Sequence, residues 1–290
     1  CQLTFRGREI VAFGCLRQPE RCGPPGDAIT FIATTIRGWE MLKLYHYWGS
    51  VCSQKARMCL AEKKLQWQSH HVDLFNFENY QPWYTALNPK AVVPTLDHDG
   101  RVLIESNVIL EYLEDNFPDT PLRPDDLYAR LQMRLWVYNS EELAHWNVNT
   151  CSHNLRHAKR LAQKGTSIDE MLKAADMCPN PMIGKRLRHR LEQGVSVEEE
   201  ETAYANLDYM LDQMEKQLGA GPWLAGRTFT LADIAMAPMV NRIEVLARPE
   251  MIGAARRPRV ADWWHRIQAR PGFIEAFSFA NPDTNDPVKR

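Results

Sequence analysis

Val93-Pro94-Thr95-Leu96-Asp97-His98-Asp99-Gly100-Arg101-Val102-Leu103-Ile104-Glu105-Ser106 is the stretch that decides how this 290-residue chain folds. A short apolar run (Thr95-Leu96), a turn signal (His98-Asp99-Gly100) and a β-rich run (Arg101 to Ile104) predict two strands joined by a turn. Pro94 has no N–H for a ladder, so it belongs at an edge or a bend. A bond of this X-Pro type is open to the cis isomer, which turns the backbone of Val93 outward. Glu105 closes the second strand and Ser106 opens an amphipathic helix, so free N–H groups and the positive helix end point at one spot. The stretch describes an edge for the backbone of a short peptide, beside a pocket for a carboxylate.

Working outward, Leu42 to Tyr47 alternates as a strand, and Ser53 to Lys64 puts Ala56, Cys59, Leu60 and Lys63 on one side of a helix. Trp67 to Leu74 is β-like. Tyr80 to Leu87 reads as helical, stopping at Asn88-Pro89. With a helix over Ser106–Asn116, the order predicts a small mixed sheet with helices packed on it. Pro118-Asp119-Thr120-Pro121-Leu122-Arg123-Pro124 is a proline-rich linker. Beyond it only helices are expected: one long helix from Asp126 to about Trp146, another over Glu198–Leu218, and a third, Ile234–Val245, with Thr230 as cap and Asp233 in a capping role. Trp263 and Trp264 lie on a late helix as packing residues. The basic stretch Lys185, Arg186, Arg188, His189, Arg190 reads as a solvated helix face rather than an anion site.

Composition excludes several classes. Lys+Arg 35 against Asp+Glu 36 leaves no basic field for nucleic acid or a membrane surface. No apolar run approaches the roughly 20 residues that span a bilayer. Seven cysteines with no C-x-x-C pair argue against a disulfide framework and a structural zinc site, and favour a reducing cytoplasm. Residues 1–40 show no amphipathic period, so Met41 reads as the natural start and 1–40 as a disordered extension or mis-assigned start. The expected division is then 41–117 and 127–280 as two domains, 118–126 as linker and 281–290 as tail.

From Met41 to about Phe279 the chain resembles a cytosolic glutathione S-transferase. Three signatures carry the resemblance in order: Leu44-Tyr45…Ser50-Val51-Cys52-Ser53-Gln54-Lys55-Ala56-Arg57, then Asn88-Pro89-Lys90-Ala91-Val92-Val93-Pro94 with Glu105-Ser106, then Leu224-Ala225-Gly226…Phe229-Thr230-Leu231-Ala232-Asp233. It implies an α/β thioredoxin-like domain followed by an all-α helical-bundle domain, with glutathione as cosubstrate, no metal, and a homodimer.

A free thiol has a pKa near 8.5, and lowering it by two units takes about 2.7 kcal/mol of selective anion stabilisation. A helix N-terminus plus one hydroxyl donor supplies that. Ser50 lies where such a donor is needed and matches the serine of zeta-like and theta-like loops. Ser53 is the second candidate, as donor or helix cap. Tyr45 is read as core. Cys52 is either a small loop residue, as in zeta-like members, or a nucleophile forming a mixed disulfide, as in omega-like and beta-like ones. By the same resemblance Val93, beside Pro94, pairs its backbone with the tripeptide. Glu105 and Ser106 hold the γ-glutamyl end, and Lys90 or Asn79 reaches the glycyl carboxylate. The electrophile lies against residues 139–190, with Trp136, Tyr138, His145 and Trp146 as aromatic surface. The insert around Cys178 to Gly194 is similar to that of bacterial glutathione-dependent β-aryl etherases, although the loop Ser50-Val51-Cys52-Ser53 departs from theirs. The implied function is transfer of glutathione to a hydrophobic electrophile. The alternatives are thiol-disulfide exchange through Cys52 and non-catalytic binding.

Overall fold

The computed structural model describes residues 41–153, 167–246 and 248–279, with two short strands nearer the start. Those strands, β1 (Thr4–Arg6) and β2 (Glu9–Val11), pair antiparallel within a separate unit, Cys1–Met41. Most of residues 1–40 and all of 281–290, where an extension and a tail are expected, lie outside the described residues.

The second unit, Leu42–Arg290, begins with the strand β3 (Leu42–His46). It is central in a four-stranded sheet of order β4-β3-β5-β6, where β4 is Trp67–His71, β5 Thr95–His98 and β6 Arg101–Ile104. β4 runs parallel to β3 and the other two pairs are antiparallel, which makes the sheet mixed, as expected. The register sets Leu44 opposite Leu96, and both are fully buried. On this sheet pack α1 (Val51–Glu62), the short α2 (Pro82–Thr85) and α3 (Ser106–Asn116). α3 has the expected bounds. α1 starts two residues earlier than expected, because Ser50 and not Ser53 caps it: the Ser53 N–H donates to Ser50 Oγ at 3.2 Å. Tyr80–Leu87, expected as one helix, is instead a 3-10 turn (Glu78–Tyr80) followed by α2. Pro82 forces Gln81 into extended backbone between them.

Beyond α3 the fold is helical: α4 (Leu127–Asn139), α5 (Trp146–Ser152), α6 (Ile168–Asp176), α7 (Pro181–Gln193), α8 (Val197–Gln217), α9 (Leu231–Val245), α10 (Pro258–Gln268) and α11 (Pro271–Phe277). α9 is apolar and buried nearly all round, as a central helix must be, and packs on both α1 and α4. The single long helix expected from Asp126 to Trp146 passes through a π-helical stretch, Ser140–His145. The local cause is visible at the Val137 carbonyl, which takes hydrogen bonds from Ser140 Oγ at 2.7 Å and Asn107 Nδ2 at 2.9 Å. With that acceptor engaged by side chains, the helical ladder slips by one residue.

The proline-rich linker is stitched down. Lys63 and Glu114 form a buried pair at 2.6 Å; Lys63 also donates to the Phe117 and Thr120 carbonyls, and Glu114 accepts the Leu122 N–H. The Leu122 carbonyl in turn accepts the Leu231 N–H at 3.0 Å, which ties the linker to the head of α9. Among the described residues no helix is long and apolar enough to cross a membrane.

Candidate active site

The loop from Tyr47 to Ser50 carries the head of α1 and is clamped by two arginines. Buried Arg57 donates to the carbonyls of Tyr47 (3.3 Å) and Trp48 (2.9 Å), and Arg242 of α9 donates to that of Gly49 at 2.6 Å. Arg57 also reaches the Ala276 carbonyl, tying α11 to the loop. Three consecutive carbonyls therefore point away from the mouth of the helix, and the first N–H groups of α1 are left facing it. Ser50 Oγ accepts one of them and keeps its own proton to donate. Ser53 is fully buried, and its Oγ accepts the Tyr47 N–H at 3.3 Å. Of the two serines, only Ser50 is partly exposed.

Cys52, one residue into α1, makes a contact that crosses between the two parts of the fold. Its Sγ lies 3.6 Å from His145 Nε2, and His145 Nδ1 lies 2.5 Å from Glu141 Oε1. Both partners come from the π-helical stretch. Lys55, buried one turn along α1, donates to Ser140 Oγ at 2.8 Å and Asn107 Oδ1 at 3.1 Å, and its Nζ is 3.9 Å from Glu141 Oε2. The ionisations follow from this arrangement. Burial pushes the Cys52 thiol up, but the His145 charge and hydrogen bond, with Lys55 behind them, bring it below its ordinary value. Burial alone would lower His145; the Cys52 and Glu141 anions outweigh it and raise the imidazolium to about 10. Glu141, raised by burial, is brought down overall by His145 and Lys55.

Cys52, Glu141 and His145 also place one ligand atom each within 4.8 Å of one another, the spacing a metal ion needs. The Glu141 oxygen is spent on Nδ1, and the ammonium of Lys55 lies alongside, so the set suits a proton relay better than a dication. Cys59, by contrast, is buried in the core, and burial pushes its thiol far up.

Pro94 sits at a bend ahead of the strand, where its missing N–H places it. The Val93–Pro94 bond is cis, and strand pairing starts only at Thr95. The Val92 carbonyl beside it is held by Tyr84 Oη at 2.7 Å and Asn88 Nδ2 at 2.8 Å. Asn79 is buried, not a solvent-facing loop residue, and donates to the Ala91 carbonyl at 2.7 Å, bracing the same loop. Glu105 stands at φ 69°, a region that costs a residue with a Cβ on the order of 1–3 kcal/mol. Its carboxylate meets Lys90 Nζ at 2.6 Å, which puts Lys90 at the mouth of α3 beside Glu105. Ser106 is the buried first residue of α3, and its neighbour Asn107 joins Lys55 of α1. The heads of α1 and α3 thus converge.

The aromatic surface divides. Trp136 is buried core and Tyr138 is exposed, whereas Trp146 stands half-open with the Arg186 guanidinium 3.9 Å from its ring centre. His145, expected as part of that surface, is the partner of Cys52. The basic stretch is not a bare solvated face: Arg190 donates to Asn149 Oδ1, and Arg188 pairs with Asp176 and Glu192. Burial, with Cys178 of the insert nearby, pushes the Tyr80 hydroxyl up. Lys55, Glu141 and Arg242 escape a reading of the sequence. Glu141 and His145 stand at i,i+4 spacing, but nothing local aims them at Cys52.

Residues 49–116 match the glutathione S-transferase N-terminal domain and residues 188–266 the C-terminal domain. Protein LigF of Sphingobium sp. strain SYK-6 is 32% identical over 244 residues, covering 81% of this chain and 93% of that protein. The crystal structure of this β-etherase superposes with a TM-score of 0.75 over 81% of this chain and 98% of the other. Tetrachloro-p-hydroquinone reductive dehalogenase of Sphingobium chlorophenolicum is 29% identical over 252 residues, 81% of this chain and 95% of that protein. A probable maleylacetoacetate isomerase of Caenorhabditis elegans reaches 43% identity over 91 residues, 31% of this chain and 42% of that protein. With the clamped helix head, the cis Val93–Pro94 edge and a relative of this identity and coverage, the chain belongs to the glutathione S-transferase family.

Proposed function

We propose that the protein binds glutathione along Val93 and at Glu105–Ser106, holds its sulfur as a thiolate at the head of α1, and delivers it to an aryl electrophile. One observation carries this reading: with Cys52 protonated, the head of α1 is short of one negative charge. His145 and Lys55 bring two cations and Glu141 one anion, and the unpaired N–H groups of α1 add partial positive charge. A thiolate fills that deficit. With a hydrogen bond from Ser50 to the anion, of about 1.5–3 kcal/mol, the roughly 2.7 kcal/mol needed to lower a thiol by two units is supplied. Trp146 and Arg186 offer an aromatic wall with a cation for the leaving group or ring substituent. The named relatives, a β-etherase and a halogenated-hydroquinone dehalogenase, suggest an aryl ether or aryl halide.

Ultraviolet difference titration of bound glutathione tests it, together with conjugation of dinitrochlorobenzene and cleavage of a β-aryl ether. The expected midpoint lies about two units below that of the free thiol. Ser50→Ala is expected to raise it and to lower kcat/KM by about 10- to 100-fold. A bound thiol still protonated at neutral pH overturns the assignment.

A second reading, thiol-disulfide exchange through Cys52, is favoured by the 3.6 Å contact of its Sγ with His145. We also propose a homodimer. Leu127, Leu131, Leu135 and Tyr138 line one face of α4 and are 77%, 58%, 46% and 59% exposed, an apolar stripe suited to a second copy of the chain. Four free cysteines among the described residues fit a reducing compartment such as the cytoplasm.

A further inference from the structure

We propose that Cys52, His145 and Glu141 form a relay for the glutathione-dependent reduction of mixed disulfides: Cys52 is the nucleophile, His145 moves the proton and Glu141 positions the imidazole. The proposal rests on the second reading above and adds the machinery it requires. Glu141 Oε1, 2.5 Å from Nδ1, accepts that N–H, which turns Nε2 toward the sulfur 3.6 Å away. The order nucleophile, base, carboxylate is the one nucleophilic catalysis needs. Its members come from two parts of the fold: Cys52 heads α1, and the dyad lies on the π-helical stretch after α4. π-helical turns recur where a helix aims side chains at a site. The ionisations agree in direction, with Cys52 below and His145 above its ordinary value. The other charged groups that bear on the relay are Lys55 of α1 and, acting on Lys55, Glu105 before α3.

The chemistry closes in two steps. The Cys52 thiolate attacks the glutathionyl sulfur of a bound disulfide R–S–S–G. The S–S bond breaks, Cys52–S–S–G forms, and the departing R–S⁻ takes the Nε2 proton of His145 to leave as R–SH. A second glutathione then gives its thiol proton to the neutral imidazole, and its thiolate attacks the glutathionyl sulfur. This releases oxidised glutathione and restores the Cys52 thiolate beside the imidazolium. One disulfide is reduced and two glutathionyl units end as the oxidised dimer.

Two measurements on the full chain test the relay: the pH profile of Cys52 alkylation by iodoacetamide, mapped by mass spectrometry, and turnover of cysteine–glutathione mixed disulfide. In the wild type the alkylation midpoint should fall well below the ~8.5 of a free thiol. His145→Gln should move it to that value or above and cut turnover at pH 7 at least tenfold. Glu141→Gln should shift both in the same direction by less, and Cys52→Ser should abolish turnover. Unshifted profiles in both His145→Gln and Glu141→Gln, or turnover in Cys52→Ser at the wild-type rate, overturn the proposal. If His145→Gln does not fold, Glu141→Gln, at a partly exposed position, still decides. Alkylation needs no glutathione, so a protein that binds none fails the functional reading, while an ordinary profile in one that conjugates normally fails the relay alone.

Discussion

At the scale of single residues, the proposed function gives the head of α1 room for one sulfur anion and makes two sulfurs compete for it. Cys52 fills the charge deficit when no ligand does; a glutathione thiolate fills it when Cys52 takes up a proton. Lys55 is the cation that both share. Lys55→Met, similar in length and apolar, should raise the titration midpoint of bound glutathione and lower conjugation kcat/KM about tenfold, read by the same difference titration. The pH behaviour has two limbs. His145 is raised in the fold, so its stabilising share is full below its ordinary value near 6.5 and is lost as pH rises through about 10. Cys52 is lowered, so its share is present above its ordinary thiol value and is lost as pH falls through the depressed one. Denaturant midpoints of the wild type minus those of His145→Gln should therefore differ most below about pH 6.5, with the difference shrinking as pH rises toward about 10. Glu105 and Ser106 were legible in the sequence because a strand-to-helix corner is local chemistry, whereas the cap of α1 falls on Ser50 and not on Ser53, where it was expected. His145 was legible only as a ring, since its partner lies 93 residues away.

At the scale of elements, start signals were the most readable part of the chain. Thr230 and Asp233 form a capping box at α9, as the spacing promised, and the structure adds a second duty. Asp233 is fully buried and accepts the N–H groups of Thr230 (2.9 Å) and Leu224 (3.0 Å) and the Trp263 indole N–H (2.9 Å). It is a structural knot, the folding role expected of it. Thr230→Ala should cost about 1 kcal/mol as a lost cap. Asp233→Ala, which orphans three buried donors, should cost about 3–5 kcal/mol, measured by urea unfolding. Burial raises Asp233 to about 6 despite its donors, so its contribution is largest below the ordinary carboxylate value and declines as pH rises through about 6. Elements lacking such signals were misread: the broken helix at 78–85 hangs on the backbone of Gln81 before Pro82, and the slip in 140–145 on Asn107 of α3 and the Ser140 hydroxyl.

At the scale of the molecule, the sheet order and the all-helical second half followed from the alternation of patterns, and the packing between them did not. That packing is polar as much as apolar: Arg57, Lys55, Lys63 and Arg242 each carry a buried or half-buried cation from one element to the backbone or side chains of another. Sequence periodicity reports faces, not such pins. The exposed stripe on α4 gives the prediction proper to this scale. Leu131→Glu should convert a dimer to monomers in analytical ultracentrifugation while leaving the far-ultraviolet spectrum unchanged; a wild-type chain that sediments as a monomer sinks the dimer. The π-helical stretch leaves a last consequence. Its extra residue turns everything downstream through roughly 100° about the helix axis, so a one-residue deletion between 140 and 145 would restore an unbroken α-helix and swing its imidazole off the sulfur. Reactivity at this thiol is thereby governed by a count of residues as well as by their identity. A lineage could gain or lose the relay through one codon's insertion or deletion, with every residue type that takes part left intact.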